Sequence, residues 1–389
     1  QPHRGADRSR DRGLRMSDDA LPEPDRIEGA PHPRETMHLF GQARAEADFL
    51  DAYNTGRLHS GWLITGPRGV GKATLAWKIA RFLLSERPND GFFGDAPTAA
   101  TALDISPENP DARLVQSGAH PRLTVVRRPY NHDTKKLRQE ITVDAVRGLK
   151  DFFHMSSADG GRRVVIVDSA DEMNRNAANA ILKELEEPPA KTTLLLIAHQ
   201  PSRLLPTIRS RCRELRCGRL NAEDLQASLT QAGLETTSAE ALATLSEGSA
   251  GDAVRLLRHD GLPLYAELVR LLEGAPRMDR LLAHRIADAC AGRGAEVRFG
   301  LTLDLMDLFL ARTARAGLLG EPHSQAAPHE ARLLARLSPN HHAAQSWAQL
   351  QQSLSERVRH GKAVNLDPAS LILDMIFKIE DTARRVAQT

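Results

Sequence analysis

Trp62-Leu63-Ile64-Thr65-Gly66-Pro67-Arg68-Gly69-Val70-Gly71-Lys72-Ala73-Thr74 decides the fold. A short apolar strand runs into a glycine-rich turn and then a helix, the setting in which a phosphate-binding loop works. The glycines let backbone N–H groups converge on a phosphate, the helix aims the positive end of its dipole at the same anion, and Lys72 can neutralise outer phosphates. Gly66, Gly69, Val70, Gly71, Lys72, Ala73 and Thr74 are therefore candidate nucleotide-binding positions. One breaks the pattern: the residue after the lysine normally offers Mg²⁺ a hydroxyl, and here it is Ala73. Thr74 does not replace it, because one residue's shift on a helix turns it about 100° away.

Downstream, Leu75, Ile79, Phe82 and Leu83 share one helix face. Arg163-Val164-Val165-Ile166-Val167-Asp168 has the β-branched composition of a strand buried on both faces, and it ends on an acid. Asp168 thus falls at the carboxyl edge of a sheet, where the phosphate loop's acidic partner belongs. The next position, where a hydrolase keeps a glutamate to orient water, is Ser169; Asp171 and Glu172 lie further along. Leu123–Val126 and Thr193–Ala198 are further strands, and Val143–Phe153 and Ala177–Glu186 are helices between them. Strands alternating with helices at these intervals predict a parallel α/β sheet with right-handed crossovers.

Outside this block the pattern changes. Residues 1–34 are rich in Arg, Asp, Pro and Gly with little apolar periodicity, which predicts disorder; Met16 lies inside, so the first fifteen residues carry no fold argument. A helix is expected within Thr36–Leu58, and a surface insertion over 88–118. Past Cys217 strand signals vanish: residues 218–262 predict a small helical domain started by Asn221, Asp260-Gly261-Leu262-Pro263 a linker, and 263–389 a helical domain with Val297, Leu301, Leu305, Leu308 and Phe309 on one buried face. The expected fold is α/β over 35–217 and then all-α.

The 389 residues suit two or three domains, and 41% hydrophobic with 4% aromatic residues favours aliphatic, helix-rich cores. A net charge of +2 imposes no global basic field, so direct DNA contact by Arg203, Arg209 or Arg213 is not dictated by charge. Cys212, Cys217 and Cys290 make no paired zinc motif, so no zinc is expected, and they fit a reducing cytoplasm. No apolar run approaches the ~20 residues of a membrane span.

Asp168-Ser169-Ala170-Asp171-Glu172-Met173-Asn174-Arg175-Asn176-Ala177-Ala178-Asn179-Ala180-Ile181-Leu182-Lys183-Glu184-Leu185-Glu186-Glu187-Pro188-Pro189 resembles the signature of the clamp-loader branch of AAA+ proteins. Pro206-Thr207-Ile208-Arg209-Ser210-Arg211-Cys212 resembles the Ser-Arg-Cys motif of the same branch; Gly118-Ala119-His120-Pro121 and the phosphate loop agree with it. The resemblance covers Thr36 to Ala253 and implies an AAA+ P-loop domain, a helical lid and a C-terminal collar. It implies a subunit of the DNA polymerase III clamp loader, with motor subunits and the clamp-opening delta subunit as neighbours. The sliding clamp would be a transient partner, and primer-template DNA would be met through the complex.

Motor subunits of that family carry an arginine where Gly251 stands and a threonine near Ala198-His199, besides the features missing at Ala73 and Ser169. The resemblance therefore implies a subunit without turnover, compatible with bound ATP or ADP, whose Arg211 acts in trans as an arginine finger on a neighbour's ATP. Two other readings stay open on the residues: an ATPase with Glu172 as base, and a module that binds ATP without hydrolysing it.

Overall fold

The computed structural model describes residues 22–85, 99–155, 160–363 and 365–388. In chain order the α/β part comprises α1 (Ala43–Asn54), β1 (Gly61–Thr65), α2 (Lys72–Leu84), α3 (Pro110–Ser117), β2 (Leu123–Arg127), β3 (Tyr130–Asn131), β4 (Lys136–Leu137), α4 (Val143–Met155), β5 (Arg163–Asp168), α5 (Arg175–Glu186), β6 (Thr192–Ala198), α6 (Pro206–Arg209) and β7 (Arg213–Arg216). Helices follow: α7 (Ala222–Gln231), α8 (Ala239–Leu245), α9 (Ala250–Arg258), α10 (Gly261–Glu273), α11 (Arg280–Asp288), α12 (Glu296–Leu319), α13 (Glu330–Leu337), α14 (His341–Ala363) and α15 (Pro368–Val386).

Five strands form one parallel sheet in the order β2-β5-β6-β1-β7, with β3 and β4 a separate antiparallel hairpin. Side chains alternate along each strand, so neighbouring residues feed opposite cores. Trp62, Ile64, Val164, Ile166, Leu195 and Ile197 pack against α1 and α2, while Leu63, Val165, Val167, Leu194 and Leu196 pack with Val146 and Leu149 of α4 and Ile181 of α5. The register brings Thr65 opposite Ala198 and Asp168 opposite Ile197, so the phosphate loop, Asp168 and His199 leave the sheet at one edge. This is the expected α/β sheet, followed by helices with no further strand among the described residues.

Several expectations differ. Residues 1–21 and 86–98 lie outside the described residues, but 22–34 pack on the domain rather than standing free, with His32 fully buried. Their ion pairs, not apolar periodicity, supply the order. The first helix covers only Ala43–Asn54, and the insertion's latter part contains α3, whose start is capped by the Asn109 side chain accepting from Asp111 and Ala112 N–H. The proposed linker at 260–263 holds no break: Asp260 turns the chain with φ 52°, and α10 begins at once with Pro263 in its first turn, where no N–H partner is needed. Leu225, Val254, Leu268, Phe309 and Ile376 belong to one continuous core, so the lid and the C-terminal helices are welded together. Val297 is half exposed rather than part of the buried face of α12.

Candidate functional site

The loop between β1 and α2 is shaped by its glycines. A Cβ on Gly66 would lie 2.3 Å from the Cys217 carbonyl oxygen, so the chain cannot pass β7 here with any side chain. Gly69 and Gly71 take φ of 71° and 99°, the left-handed region that glycine enters without strain. Gln42, just before α1, fastens the loop: its amide donates to Val70 O (3.0 Å) and Gly218 O (2.9 Å), and its oxygen accepts from Gly218 N–H (2.9 Å). One buried side chain thus ties the loop to the start of the lid.

Lys72 does not point at an open phosphate nest. Its ammonium donates to the loop's own Gly66 carbonyl at 2.8 Å and to that of Pro67. It is buried, and burial pulls its pKa down to about 8. Asp168 is buried too; loss of hydration, then the charge of Asp25, pushes its carboxyl up to about 7. Ser169 Oγ donates to Asp168 Oδ1 at 3.0 Å and lies 2.8 Å from His199 Nε2. Burial and then the Lys72 charge press His199 down to about 4, so the ring is neutral near pH 7.

The neighbouring acids are engaged elsewhere. Asp171 accepts the N–H of His199 (3.1 Å) and of Gln200 (2.9 Å), holding the turn after β6. Glu172 pairs with Arg68 (2.9 Å) and Arg128 (2.8 Å), one oxygen to each. Neither is free to take a proton from an attacking water.

The lid closes on the loop. The Gly251 N–H donates to Gly69 O at 3.2 Å, and a Cβ on Gly69 would fall 2.9 Å from Gly251 N and 2.2 Å from Ser249 Oγ. Arg68, Gly69, Val70, Gly71, Lys72, Ala73, Thr74 and Asp168 line a cavity of about 690 Å³, whose other walls include Ser249–Asp252 of the lid and Pro24, Asp25 and Ile27. The sequence-predicted loop and Asp168 are therefore brought together, apart from Gly66, which faces β7. As a seat for a Mg²⁺-bound polyphosphate the residues do not fit: no hydroxyl stands at Ala73, the lysine is spent on carbonyls, and the loop backbone touches the lid.

Arg211 is not at this cavity. Its carbonyl lies by Gly61, the first residue of β1, whereas the phosphate loop leaves the last, so the two stand at opposite edges of the sheet. Its guanidinium is partly exposed, pairs with Glu186 at 2.8 Å and donates to Thr207 O at 3.0 Å. Asp25, His32 and Gln42 went unnoticed in the sequence; an isolated acid, histidine or glutamine in a polar stretch carries no spacing signal.

A parallel sheet in this order, with the phosphate loop after its inner strand β1 and a helical lid behind, defines the AAA+ class of P-loop domains. Residues 41–221 match the model of a family described as DNA polymerase III, delta subunit. It is 37% identical over 249 residues to the DNA polymerase III subunit delta' of Pseudomonas aeruginosa, covering 64% of this chain and 66% of that one. It is 33% identical to subunit delta' of Escherichia coli (58% and 62% covered) and 28% identical to subunit tau of the same species (58% and 32%). The matches thus span at most about two thirds of those relatives' own length. A solved gamma-subunit-related protein of Thermotoga maritima aligns over 87% of this chain and all of its own at 17% identity, with a TM-score of 0.38. No helix among the described residues is long and apolar enough to cross a membrane.

Proposed function

We propose that the protein is a delta-prime-type subunit of a DNA polymerase III clamp loader that turns over no nucleotide itself and lends Arg211 to the ATP site of an adjoining motor subunit. The observation that carries this is the separation of Arg211 from its own phosphate loop: a guanidinium at the far sheet edge, held by the Glu186 carboxylate and the Thr207 carbonyl at the surface, is available to a neighbour and not to its own site. Opposite charge on a transferring phosphoryl group is what such a residue stabilises. The partners in this reading are motor subunits, the delta subunit, the sliding clamp and, through the assembly, primer-template DNA in the cytoplasm. The ATPase alternative is disfavoured by the two arginines on Glu172 and by Ala73.

The test is ATP hydrolysis by the purified chain and by the complex reconstituted with motor and delta subunits. The chain alone should show none. Arg211→Ala should leave assembly intact and lower the turnover of the complex; unchanged turnover would remove the finger role.

A further inference from the structure

Residues 22–36 cross the mouth of the cleft between the α/β domain and the lid. One end is anchored in the α/β domain. Glu23 accepts from Arg34 Nη1 (2.8 Å) and Arg127 Nη1 (3.0 Å), and Asp25 Oδ1 meets His32 Nε2 (3.1 Å) and Arg127 Nη1 (3.4 Å). The guanidinium of Arg81, inside α2, donates to Arg34 O (3.0 Å) and Thr36 O (2.8 Å). His32 stands edge-on to Trp77 with ring centroids 5.8 Å apart. This is a built joint: the side chain of Asp25 is 1% exposed and that of His32 0%.

The other part of the segment reaches the lid. The Ile27 Cδ1 methyl occupies the space a Gly251 side chain would enter, 2.7 Å from its ideal Cβ. Gly29, at φ 81°, is crossed so closely by the Arg258 side chain that a Cβ would fall 1.5 Å from Nε. Segment and lid therefore interlock at two glycines, in addition to the bond from Gly251 to Gly69. Asp25 lines the same cavity as Asp168 and is near enough for its charge to raise that carboxyl. A polyphosphate entering the loop would meet the Asp25 carboxylate beside the Asp168 carboxyl, while Lys72, Arg68 and Arg127 are already held by protein oxygens. Like charges in a poorly hydrated cleft repel strongly.

We infer that residues 22–36 form an autoinhibitory strap that pins the lid to the α/β domain and, through Asp25, denies the phosphate loop to nucleoside polyphosphates. This rests on the reading that the chain turns over no nucleotide itself, but it concerns this chain's own loop and not Arg211.

The test is titration of the full chain with N-methylanthraniloyl-ATP, with and without Mg²⁺, read by fluorescence polarisation. It is paired with amide hydrogen exchange at Gly251. The unaltered chain should show no saturable binding up to concentrations on the order of 1 mM. Asp25→Asn with Ile27→Ala should bind at least about tenfold more tightly and exchange the Gly251 amide faster. Asp25→Asn alone, isosteric with the native residue, should show the gain in binding if the double variant does not fold. Micromolar binding by the unaltered chain overturns the proposal, as does a folded variant with neither gain. Hydrolysis by the reconstituted complex reads Arg211 separately, so either idea can fail without the other.

Discussion

The amide of Gly251, at the start of α9, donates to the carbonyl of Gly69 in the phosphate loop at 3.2 Å, so lid and loop share a backbone hydrogen bond. The contact requires Gly69 to lack a side chain. Gly69→Ala adds a methyl at φ 71° with Gly251 N at 2.9 Å and Ser249 Oγ at 2.2 Å, whereas Gly56→Ala adds one at φ 67° with nothing within 4 Å. Left-handed strain alone costs about 1–2 kcal/mol and should be the whole effect at Gly56; overpacking should carry Gly69→Ala to roughly 3 kcal/mol or more. Urea unfolding of the two variants checks the difference, and equal losses would mean that lid and loop do not touch in solution.

Lys72 has a structural task in this arrangement. Lys72→Met keeps the volume but leaves the carbonyls of Gly66 and Pro67 without their donor, so stability at pH 7 should fall by about 1–3 kcal/mol. Hydrolysis by a reconstituted complex should not change. A loss of turnover with unchanged thermal unfolding would instead mark Lys72 as serving a phosphate at its own loop.

How much of this was legible beforehand depends on the kind of signal. The strands around Ile64, Ile166 and Leu196 and the loop at Gly66–Lys72 announce themselves because short continuous apolar runs and glycine spacing are local properties. Asn221 was visible as a helix start for the same reason, and its side chain accepts the Asp224 N–H at 2.8 Å. The order of residues 22–34 was not legible, since it depends on Arg127 and Arg81, far along the chain. Nor was the continuity of lid and C-terminal core, because Gly-Leu-Pro suits a linker and a helix's first turn equally well. Within the site, the losses at Ala73 and Ser169 could be seen by position, but the bonding of Lys72 to its own loop is a property of the folded backbone.

Asp168 and His199, joined through Ser169, should give stability opposite pH dependences. The Asp168 carboxyl titrates at about 7 in the fold against 3.8 ordinarily, so between these values the folded chain keeps a proton that the unfolded chain has released. Its stabilising contribution is complete below about pH 4 and is lost as pH rises through about 7, at up to about 1.4 kcal/mol per pH unit. His199 titrates at about 4 in the fold against 6.5, so its contribution is present above pH 6.5 and is lost as pH falls toward 4. The two largely offset each other from about pH 4 to 6.5. Asp168→Asn should therefore leave stability rising with pH over that window, and His199→Gln should leave it falling. Urea midpoints measured at closely spaced pH check both signs; parallel curves for the two variants would contradict the assignment.

The ion pair between Glu186 and Arg211 offers a test of the proposed finger. Arg211 is 37% and Glu186 48% exposed, and an ion pair so open to water contributes little to stability, so Arg211→Ala and Glu186→Gln should each shift unfolding of the isolated chain by less than about 0.5 kcal/mol. In the reconstituted complex they should diverge. If Arg211 serves an adjoining ATP site as proposed, Arg211→Ala should lower turnover at that site on the order of 10³-fold. Glu186→Gln frees the guanidinium from its parking place and should leave turnover equal or higher. Arg211→Lys keeps the charge but not the planar fork that grips phosphate oxygens at two points, so it should behave like the alanine variant. Full rescue by lysine would mean that Arg211 acts as a general positive charge at the interface and does not contact the phosphoryl group.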